Sequence, residues 1–417
     1  MMNSRITPLA SLVIGVCVAL SPETVALGNE SNEKQEEQDS IFQNILGVFK
    51  NKPDLLPMRG KITPTRDLQP TTPPLPEIGQ FIDMPGTNGT VEFTRVTQRT
   101  DDNRHQHSYS RRAAIDPHNK YILLNGSLLD LKTFETVETP PFGFEYVASQ
   151  IEKDTFYGWV ENKLVKWNAA TGKTTDIWTA TDCCFTIGKY EGSISLDDNF
   201  LPITWGKETN LGIIDLQKGM LIGTISSNDV DGKFNWLDVS PLGTYAVVGT
   251  DTGVFRYDID FTNVVALNTK LSGNAHADLA LDLNNNEVIV QEGNYHDGDI
   301  SYTLLEENKT YFLDVVDTVK TDVEYPNSAA HISAQAHGVP GKVLVSLQHR
   351  SGQSSIFSID LEPEQNKIAN WGHTFTTGHS YFTEAKATIS NDATMVLWTS
   401  NWMQGDQTYE FLARIKH

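Results

Sequence analysis

The sequence is short of cysteine and of positive charge. Only three of its 417 residues are cysteine, and 32 Lys and Arg stand against 53 Asp and Glu, for a formal net charge of −21. A surface this acidic repels phosphate backbones and anionic lipid headgroups, so we expect no nucleic-acid partner. Neither an HExxH nor a CxxC spacing occurs, which removes the simplest signatures of a zinc site.

The sequence also lacks an apolar run long enough to cross a bilayer comfortably. The run from Leu9 to Leu20 spans about a dozen residues, against the roughly 20 of a membrane helix. It follows Arg5 and precedes the small-x-small triplet 26–28, so residues 1–28 are predicted to be a signal peptide. We therefore expect a secreted or periplasmic protein without stable membrane insertion.

Residues 29–80 are predicted to precede the folded domain. An acidic polar tract comes first, and the stretch from Lys52 to Gly79 then holds seven of the 18 prolines. The acidic tract has no apolar residues to bury and is predicted to be disordered. The proline-rich stretch is either an extended linker or a strap along the domain.

Only Cys183 and Cys184 remain once the signal peptide is removed. Adjacent cysteines can close a vicinal disulfide, and an exported chain is in an oxidising compartment. The pair is predicted to form this disulfide. The alternative is two free thiols packed at a strand edge.

A strand–turn–strand pattern recurs along the chain. Its clearest copy is EAKATISNDATMVLWTSNW, residues 384–402, with a turn at Ser390–Ala393. Seven copies spaced by about 34 to 55 residues predict an all-β fold, a seven-bladed β-propeller over residues 81–417. Residues Thr90–Val96 are predicted to pair with the last blade and close the ring.

The innermost strands of a propeller converge on its central channel. The residues that lead the seven copies should therefore form one ring, namely Tyr109, Tyr157, Glu191, Trp236, His276, His331 and Glu384. Imidazoles, carboxylates and aromatic rings in corresponding positions favour a functional site over a core, where Val, Ile and Ala would serve. The alternative for each residue singly is a structural, hydrogen-bonded side chain.

The densest cluster of basic residues is RHQHSYSRR, residues 104–112. In an alternating strand His105, His107, Tyr109 and Arg111 would share one face, and Arg112 would lie on the other. β-Elimination from a uronic acid needs a cation for the carboxylate, a base for the adjacent C–H and an acid for the leaving oxygen, which these types supply. The alternative is a solvated basic loop.

Metal binding and glycoside hydrolysis are further possibilities. His276 and His331 are candidate ligands of a divalent cation, and Asp282–Glu287 resembles either a small calcium-binding turn or a polar hairpin turn. The candidate cofactor is therefore Ca²⁺ or Mn²⁺. Carboxylates for glycoside hydrolysis would come from Glu191, Asp197, Asp198 and Glu384.

Several motifs together resemble the exported seven-bladed propellers of bacteria, a WD-like and TolB-like group that includes ulvan lyases and oligogalacturonate lyases. They are HSYS at 107–110, EGSISLDD at 191–198, HADLALD at 276–282, the run HIS to PGKVLVS at 331–346, and SNW at 400–402. The resemblance to ulvan lyases implies β-elimination by His107 and Tyr109, with Arg111 neutralising the carboxylate. The resemblance to oligogalacturonate lyases implies a manganese site near His276 and His331. The pattern Glu-Pro-His-Ala often found at the last blade is Glu384-Ala385-Lys386-Ala387 here.

Two functions follow from these expectations. The first is an exported polysaccharide lyase that acts on an acidic glycan, with His107, Tyr109, Arg111, His276 and His331 in catalysis. Substrate binding is assigned to His105, Arg112, Tyr157, Glu191, Trp236 and Glu384. The second is a non-catalytic propeller that binds a glycan or a protein through its funnel. The stretch 167–178 also resembles one repeat of the quinoprotein propellers, which implies a quinone-dependent dehydrogenase as a third alternative.

Overall fold

A computed structural model describes twelve ranges of the chain: 58–59, 71–98, 106–143, 145–181, 184–269, 276–292, 300–313, 329–348, 355–362, 367–377, 381–405 and 407–416. The chain divides into two compact units, 1–51 and 52–417, and the first lies wholly outside these ranges. The predicted signal peptide and most of the predicted linker are outside them as well. So is Cys183, and with it the predicted disulfide to Cys184. No helix within the described ranges is long and apolar enough to span a bilayer.

Seven antiparallel sheets follow one another and confirm the seven-bladed propeller. The chain enters through three short strands, β1 (Met58–Arg59), β2 (Ile82–Asp83) and β3 (Val91–Arg95). Blade 1 contains β4 (Tyr121–Leu124), β5 (Ser127–Asp130) and β6 (Thr136–Glu138). A single bridge between Ile115 and Ile122 stands where blade 1 would have its innermost strand.

Blades 2 to 5 have four strands each and run outward in chain order. Blade 2 contains β7 (Tyr146–Ala148), β8 (Thr155–Val160), β9 (Lys163–Asn168) and β10 (Lys173–Thr179). Blade 3 contains β11 (Thr186–Ile187), a 3-10 turn (Gly188–Tyr190), β12 (Phe200–Trp205), β13 (Asn210–Asp215) and β14 (Met220–Ser226). Blade 4 contains β15 (Phe234–Val239), β16 (Tyr245–Thr250), β17 (Val254–Asp258) and β18 (Val265–Ala266). Blade 5 contains β19 (Ala277–Leu281), β20 (Glu287–Glu292), β21 (Ile300–Leu304) and β22 (Thr310–Leu313).

Blades 6 and 7 each gain strands from the start of the domain. Blade 6 contains β23 (Ala329–Ser333), β24 (Lys342–Gln348), β25 (Ser355–Asp360) and β26 (Lys367–His373), and β1 pairs with β26. A second 3-10 turn (Tyr381–Thr383) leads into blade 7, which contains β27 (Thr388–Ile389), β28 (Met395–Ser400) and β29 (Tyr409–Ile415).

The ring closes through β3, as the sequence predicts. Residues Val91 to Arg95 pair antiparallel with Ile415 to Phe411 of β29, and β2 pairs with β3. Blade 7 is therefore built from both ends of the domain, which leaves β29 without a free edge. Residues 71–80 contact the same blade, since Trp402 Nε1 donates a hydrogen bond to the carbonyl of Pro73 at 3.1 Å. For these residues the structure favours the strap over the linker.

The S-x-D-x turn that defines the repeat has the same hydrogen bonds in separate blades. In blade 7 the Ser390 hydroxyl donates to Asp392 (2.8 Å) and accepts from the Met395 N–H (3.0 Å). In blade 3 the Ser195 hydroxyl donates to Asp197 (2.7 Å) and accepts from the Phe200 N–H (2.9 Å). The side chains thus satisfy backbone groups that have no partner in a tight turn.

Buried carboxylates join neighbouring blades, and we call them the blade latches. Each accepts a hydrogen bond from a main-chain N–H of the next or preceding blade: Glu145 from Ile187 (2.6 Å), Asp238 from Ser193 (2.7 Å) and Asp278 from Ala334 (2.6 Å). The three carboxylates lie in or next to innermost strands and are almost fully buried. They fix the blades around the channel at the level of the innermost strands.

One member of the predicted ring is misplaced. Tyr157 lies in β8, the second strand of blade 2, where it pairs with Val147 and packs among buried apolar side chains. The prediction was wrong because β7, the true innermost strand, has only three residues and shows no clear alternation. Glu145, immediately before β7, takes the place in blade 2 that the sequence interpretation gave to Tyr157.

Candidate functional site

The rings of Tyr109, His276 and His331 meet at one end of the channel. The two imidazoles lie nearly face to face, with centroids 4.1 Å apart and an interplanar angle of 22°. The Tyr109 ring is 5.6 Å from His331, edge-on, and 6.4 Å from His276. Three residues that span more than 200 positions of the chain therefore form one aromatic cluster, as the predicted ring of repeat-leading residues requires.

Arg111 joins this cluster from the side of blades 3 and 4. Its Nη1 lies 3.1 Å from Glu191 Oε2, and its guanidinium carbon lies 4.2 Å from the Trp236 ring centroid. Neither Nη1 nor Nε is aligned for a hydrogen bond with any described residue. Trp236 can take this position because Gly249 opposes it on β16, where a Cβ would lie 2.2 Å from the indole. The guanidinium is buried and retains donors for a ligand.

Two carboxylates flank the stacked imidazoles. Glu384 Oε2 lies 3.5 Å from His331 Nε2, and Glu292 Oε2 lies 3.5 Å from His276 Nδ1. Burial raises the pKa of Glu384, although Lys386 and His276 act in the opposite direction. Burial and the charges of His276, Lys386 and Arg111 hold the pKa of His331 well below its ordinary value. His331 is therefore neutral at pH 7, and neither of its nitrogens has a hydrogen-bond partner among the described residues.

Tyr109 is a protonated phenol in this setting. Burial and the nearby Glu191 raise its pKa well above the ordinary value, against the effect of Arg111. The segment that carries it is not the alternating strand expected for residues 104–112. Residues 106–112 form no strand and turn at Ser110 and Arg111, with the Arg112 N–H donating to the Tyr109 carbonyl at 3.1 Å. The prediction that His107, Tyr109 and Arg111 share one strand face is therefore wrong, although Tyr109 and Arg111 do reach the same cluster.

His107 is fully buried behind the cluster rather than in it. Its Nδ1 lies 2.8 Å from Glu410 Oε2, and its Nε2 lies 2.7 Å from the Lys386 carbonyl. Burial opposes protonation, but the charge and the hydrogen bond of Glu410 outweigh it and raise the pKa of His107. Because both ring nitrogens are engaged, His107 holds the segment of Lys386, just before β27, in place. It does not face the aromatic cluster as the sequence interpretation required.

Arg112 and His105 are the two remaining predicted site residues of the basic segment 104–112. Arg112 Nη1 lies 3.6 Å from Glu145, and its Nη2 donates to the Tyr146 carbonyl at 2.7 Å. Its partners thus belong to blade 2, and it serves the latch of Glu145. His105 lies outside the described residues. Of the predicted site residues, the structure brings together Tyr109, Arg111, Glu191, Trp236, His276, His331 and Glu384.

Sequence reasoning missed Lys386 and Tyr381. The Lys386 Nζ lies 3.0 Å from the Tyr381 ring centroid and 5.9 Å from that of Tyr109. Burial lowers the pKa of Lys386 to about 8, against the charges of Glu384, Glu410 and Glu191. The sequence did contain a signal for Lys386, because this lysine stands between two alanines, Ala385 and Ala387, at the start of the last repeat.

The described residues do not fit a divalent cation at this site. An imidazole binds a metal ion along the in-plane axis of its nitrogen, at about 2.1 Å. The rings of His276 and His331 stack, so their nitrogens point along nearly parallel planes instead of converging. No group of three His, Cys, Asp or Glu in the described ranges is arranged to hold a metal ion.

The predicted calcium turn is a hairpin turn. The Asp282 carboxylate accepts hydrogen bonds from the N–H groups of Asn284 and Asn286, both at 2.8 Å. Glu287 accepts from the Leu242 N–H of blade 4 at 2.6 Å. These oxygens stabilise the turn and the contact between blades, which agrees with the alternative interpretation of this segment.

Comparison with known proteins supports the fold. No family model and no curated protein sequence matches the chain. Many solved structures are similar to this chain, and two of them match it over most of their length at 14% sequence identity. An oligogalacturonate lyase from Vibrio parahaemolyticus has a TM-score of 0.57, with 81% of this chain and 96% of that chain covered. An oligogalacturonate lyase in complex with manganese has a TM-score of 0.59, with 82% and 97% covered.

Proposed function

We propose that this protein is an exported polysaccharide lyase that cleaves a uronic-acid-containing glycan by β-elimination at the aromatic cluster. The observation that carries the proposal is the convergence of Tyr109, Arg111 and His331, three nearly buried side chains that lie beside the partly exposed His276 and Glu384. Two of the similar solved structures are oligogalacturonate lyases, which supports the same reaction class. A pectin-derived oligogalacturonate is therefore the first substrate to test.

The reaction needs a cation, a base and an acid, and the cluster contains one of each. Arg111 binds the uronate carboxylate, which acidifies the adjacent C5–H. Neutral His331 takes that proton, the C4–O4 bond breaks as the C4=C5 double bond forms, and the Tyr109 phenol protonates the leaving oxygen. Burial holds the pKa of His331 low, and the charges of His276, Lys386 and Arg111 lower it further, so a bound carboxylate that neutralises the charges of Lys386 and Arg111 would make His331 a stronger base.

Flanking groups position these three. Glu191 orients the Arg111 guanidinium, and the Trp236 ring packs against the face of that guanidinium. Glu384 lies beside His331, and His276 stacks on the imidazole. Since the described residues do not fit a metal ion, no step of this scheme passes through one.

The test is ultraviolet absorbance of the purified protein with polygalacturonate, ulvan, alginate and glucuronan. An unsaturated uronate absorbs there because its new double bond is conjugated with the carboxylate. We expect a rise on at least one substrate, and a fall of about 10²- to 10⁴-fold in kcat for Tyr109→Phe and His331→Gln. Tyr311→Phe, in the outermost strand of blade 5, is the matched control and should retain full activity.

The competing function is a propeller that binds a glycan or a protein without cleaving it. The absence of any absorbance change with folded protein, together with retained binding of one of these glycans, would establish the binding function instead. Equal activity of Tyr109→Phe and the natural protein would show that the chemistry takes place elsewhere.

A further inference from the structure

The main chain at Lys386 is held in an unusual conformation. Lys386 has a φ of +44°, in the left-handed region that residues with a side chain seldom adopt. Three hydrogen bonds fix the segment: Thr399 N–H to the Ala385 carbonyl (3.0 Å), His107 to the Lys386 carbonyl (2.7 Å), and Ala387 N–H to the Ser346 hydroxyl (3.2 Å). A strained backbone conformation that surrounding hydrogen bonds hold in place is commonly found at functional sites, where it fixes the direction of a side chain.

The Lys386 side chain points into the aromatic cluster. Its ammonium lies against the ring of Tyr381 and near that of Tyr109, and the residue is 6% exposed. No carboxylate of the described residues lies within the 4.0 Å of an ion pair with its Nζ. The charges of Glu384, Glu410 and Glu191 favour the ammonium from a longer distance, but none of these described carboxylates pairs with it directly, and a buried charge is best stabilised by a directly paired counterion.

We propose that the Lys386 ammonium is the resident cation of this site, and that it receives the substrate carboxylate together with Arg111 in place of a divalent metal ion. This inference rests on the proposed lyase function. The two cations approach the cluster from different blades, Arg111 beside Glu191 and Lys386 beside Tyr381. A carboxylate has two oxygens, so one oxygen can bind each cation.

A resident ammonium also explains why the described residues do not fit a metal ion. A divalent cation beside His331 would lie close to two buried positive charges, and repulsion between charges is strong where water is excluded. The stacked imidazoles, which do not aim at one point, are compatible with a site whose positive charge belongs to the chain itself. The manganese of the similar lyase is then a difference between that protein and this one.

The first experiment measures metal binding without reference to activity. Chelator-treated full-length protein is titrated into Mn²⁺, and the electron paramagnetic resonance signal of the free ion is recorded. We expect the signal to stay unchanged with equimolar protein. A stoichiometric loss of signal that disappears in His331→Gln would place a metal at this site and overturn the inference.

The second experiment measures carboxylate binding by titration calorimetry with tetragalacturonate in the presence of chelator. Lys386→Met should weaken binding by about 10- to 100-fold, the usual value of a charge-assisted hydrogen bond. Lys386→Arg should retain most of the affinity, because it keeps the charge. Lys309→Met is the matched control, since Lys309 also lies over a tyrosine ring, 4.7 Å from the centroid of Tyr311, but on the outer part of blade 5.

The outcomes separate this inference from the function on which it rests. If the natural protein binds and cleaves a uronate while Lys386→Met binds it equally well, the role of Lys386 is wrong and the lyase function stands. If the natural protein neither binds nor cleaves any of the four glycans, both fail together. Activity that is lost in chelator and restored by Mn²⁺ would also overturn the resident-cation assignment.

Discussion

Two sets of buried polar side chains surround the channel, and they differ in whether they have partners. The blade latches Glu145, Asp238 and Asp278 each accept a main-chain N–H at 2.6 to 2.7 Å. In the aromatic cluster, His331 has no hydrogen bond and Arg111 has unsatisfied donors, as judged against the residues that the structure describes. Burying a polar group without a partner costs about 1–3 kcal/mol, so a fold retains one only where something else requires it.

The comparison therefore separates two purposes of burial. Carboxylates in the latches connect blades, and their replacement should affect stability first. Polar groups in the cluster contribute little to the fold, and their replacement should affect ligand binding first. A latch variant that loses ligand binding but keeps its stability, or a cluster variant that loses stability but keeps ligand binding, would contradict this distinction.

The largest expected effect is on stability, at the latch of blade 2. Glu145→Ala removes the partner of the Ile187 N–H and leaves Arg112 buried without its carboxylate. Breaking a buried pair in this way costs about 3–5 kcal/mol. Urea unfolding monitored by tryptophan fluorescence should show this loss. Asp176→Ala, which breaks the exposed pair with Lys163, should cost less than about 1 kcal/mol. Similar values for the two variants would show that Glu145 does not stabilise the contact between blades 2 and 3.

A smaller effect is expected in the pH dependence of stability at Asp278. Burial raises the pKa of Asp278 to about 8, the Ala334 N–H lowers it, and the charge of Asp238 raises it. An unfolded aspartate titrates near pH 4, so the protonated carboxyl stabilises the fold below that pH, and this contribution is lost as the pH rises to about 8. The melting temperature of the natural protein should thus fall between pH 5 and pH 8.5 relative to Asp278→Asn, by about 2–4 °C.

Asp130→Asn is the control for this titration. Hydrogen bonds from the Thr133 and Lys132 N–H groups lower the pKa of Asp130, which therefore stays ionised across the same range. Its replacement should leave the pH slope unchanged. Parallel melting curves for the natural protein and Asp278→Asn would show that this latch does not titrate there.

Much of the fold could be predicted from the sequence, because blade repeats and turns depend on local chemistry. The S-x-D-x turn at Ser390 and the closing strand at 90–96 were recognisable without any neighbour. Blade 2 was harder, since its innermost strand is three residues long and gives no periodic signal. The alternation expected around His107 failed because that segment turns to place Tyr109 and Arg111 inside the ring.

The site was predictable only in part, for a different physical reason. Each of Tyr109, His276 and His331 lies in or next to the innermost part of its blade, so their positions in the repeat were sufficient to predict that they meet. The importance of Lys386 depends on its burial and on its aromatic neighbours, which come from the tertiary packing of distant segments. A lysine is ordinarily expected at the surface.

The smallest expected effect on stability tests the cluster itself. His331→Phe keeps a planar ring against His276 and Tyr109 and removes two buried nitrogens that have no hydrogen bond among the described residues. An apolar replacement of similar shape should be neutral or stabilising, within about 1 kcal/mol of the natural protein. The same variant should lose lyase activity, because no base remains for the C5 proton. Urea unfolding and the absorbance assay on one preparation measure both. A loss of several kcal/mol would mean that His331 is a structural residue like the latches, whereas full activity in a stable variant would assign the base to another side chain.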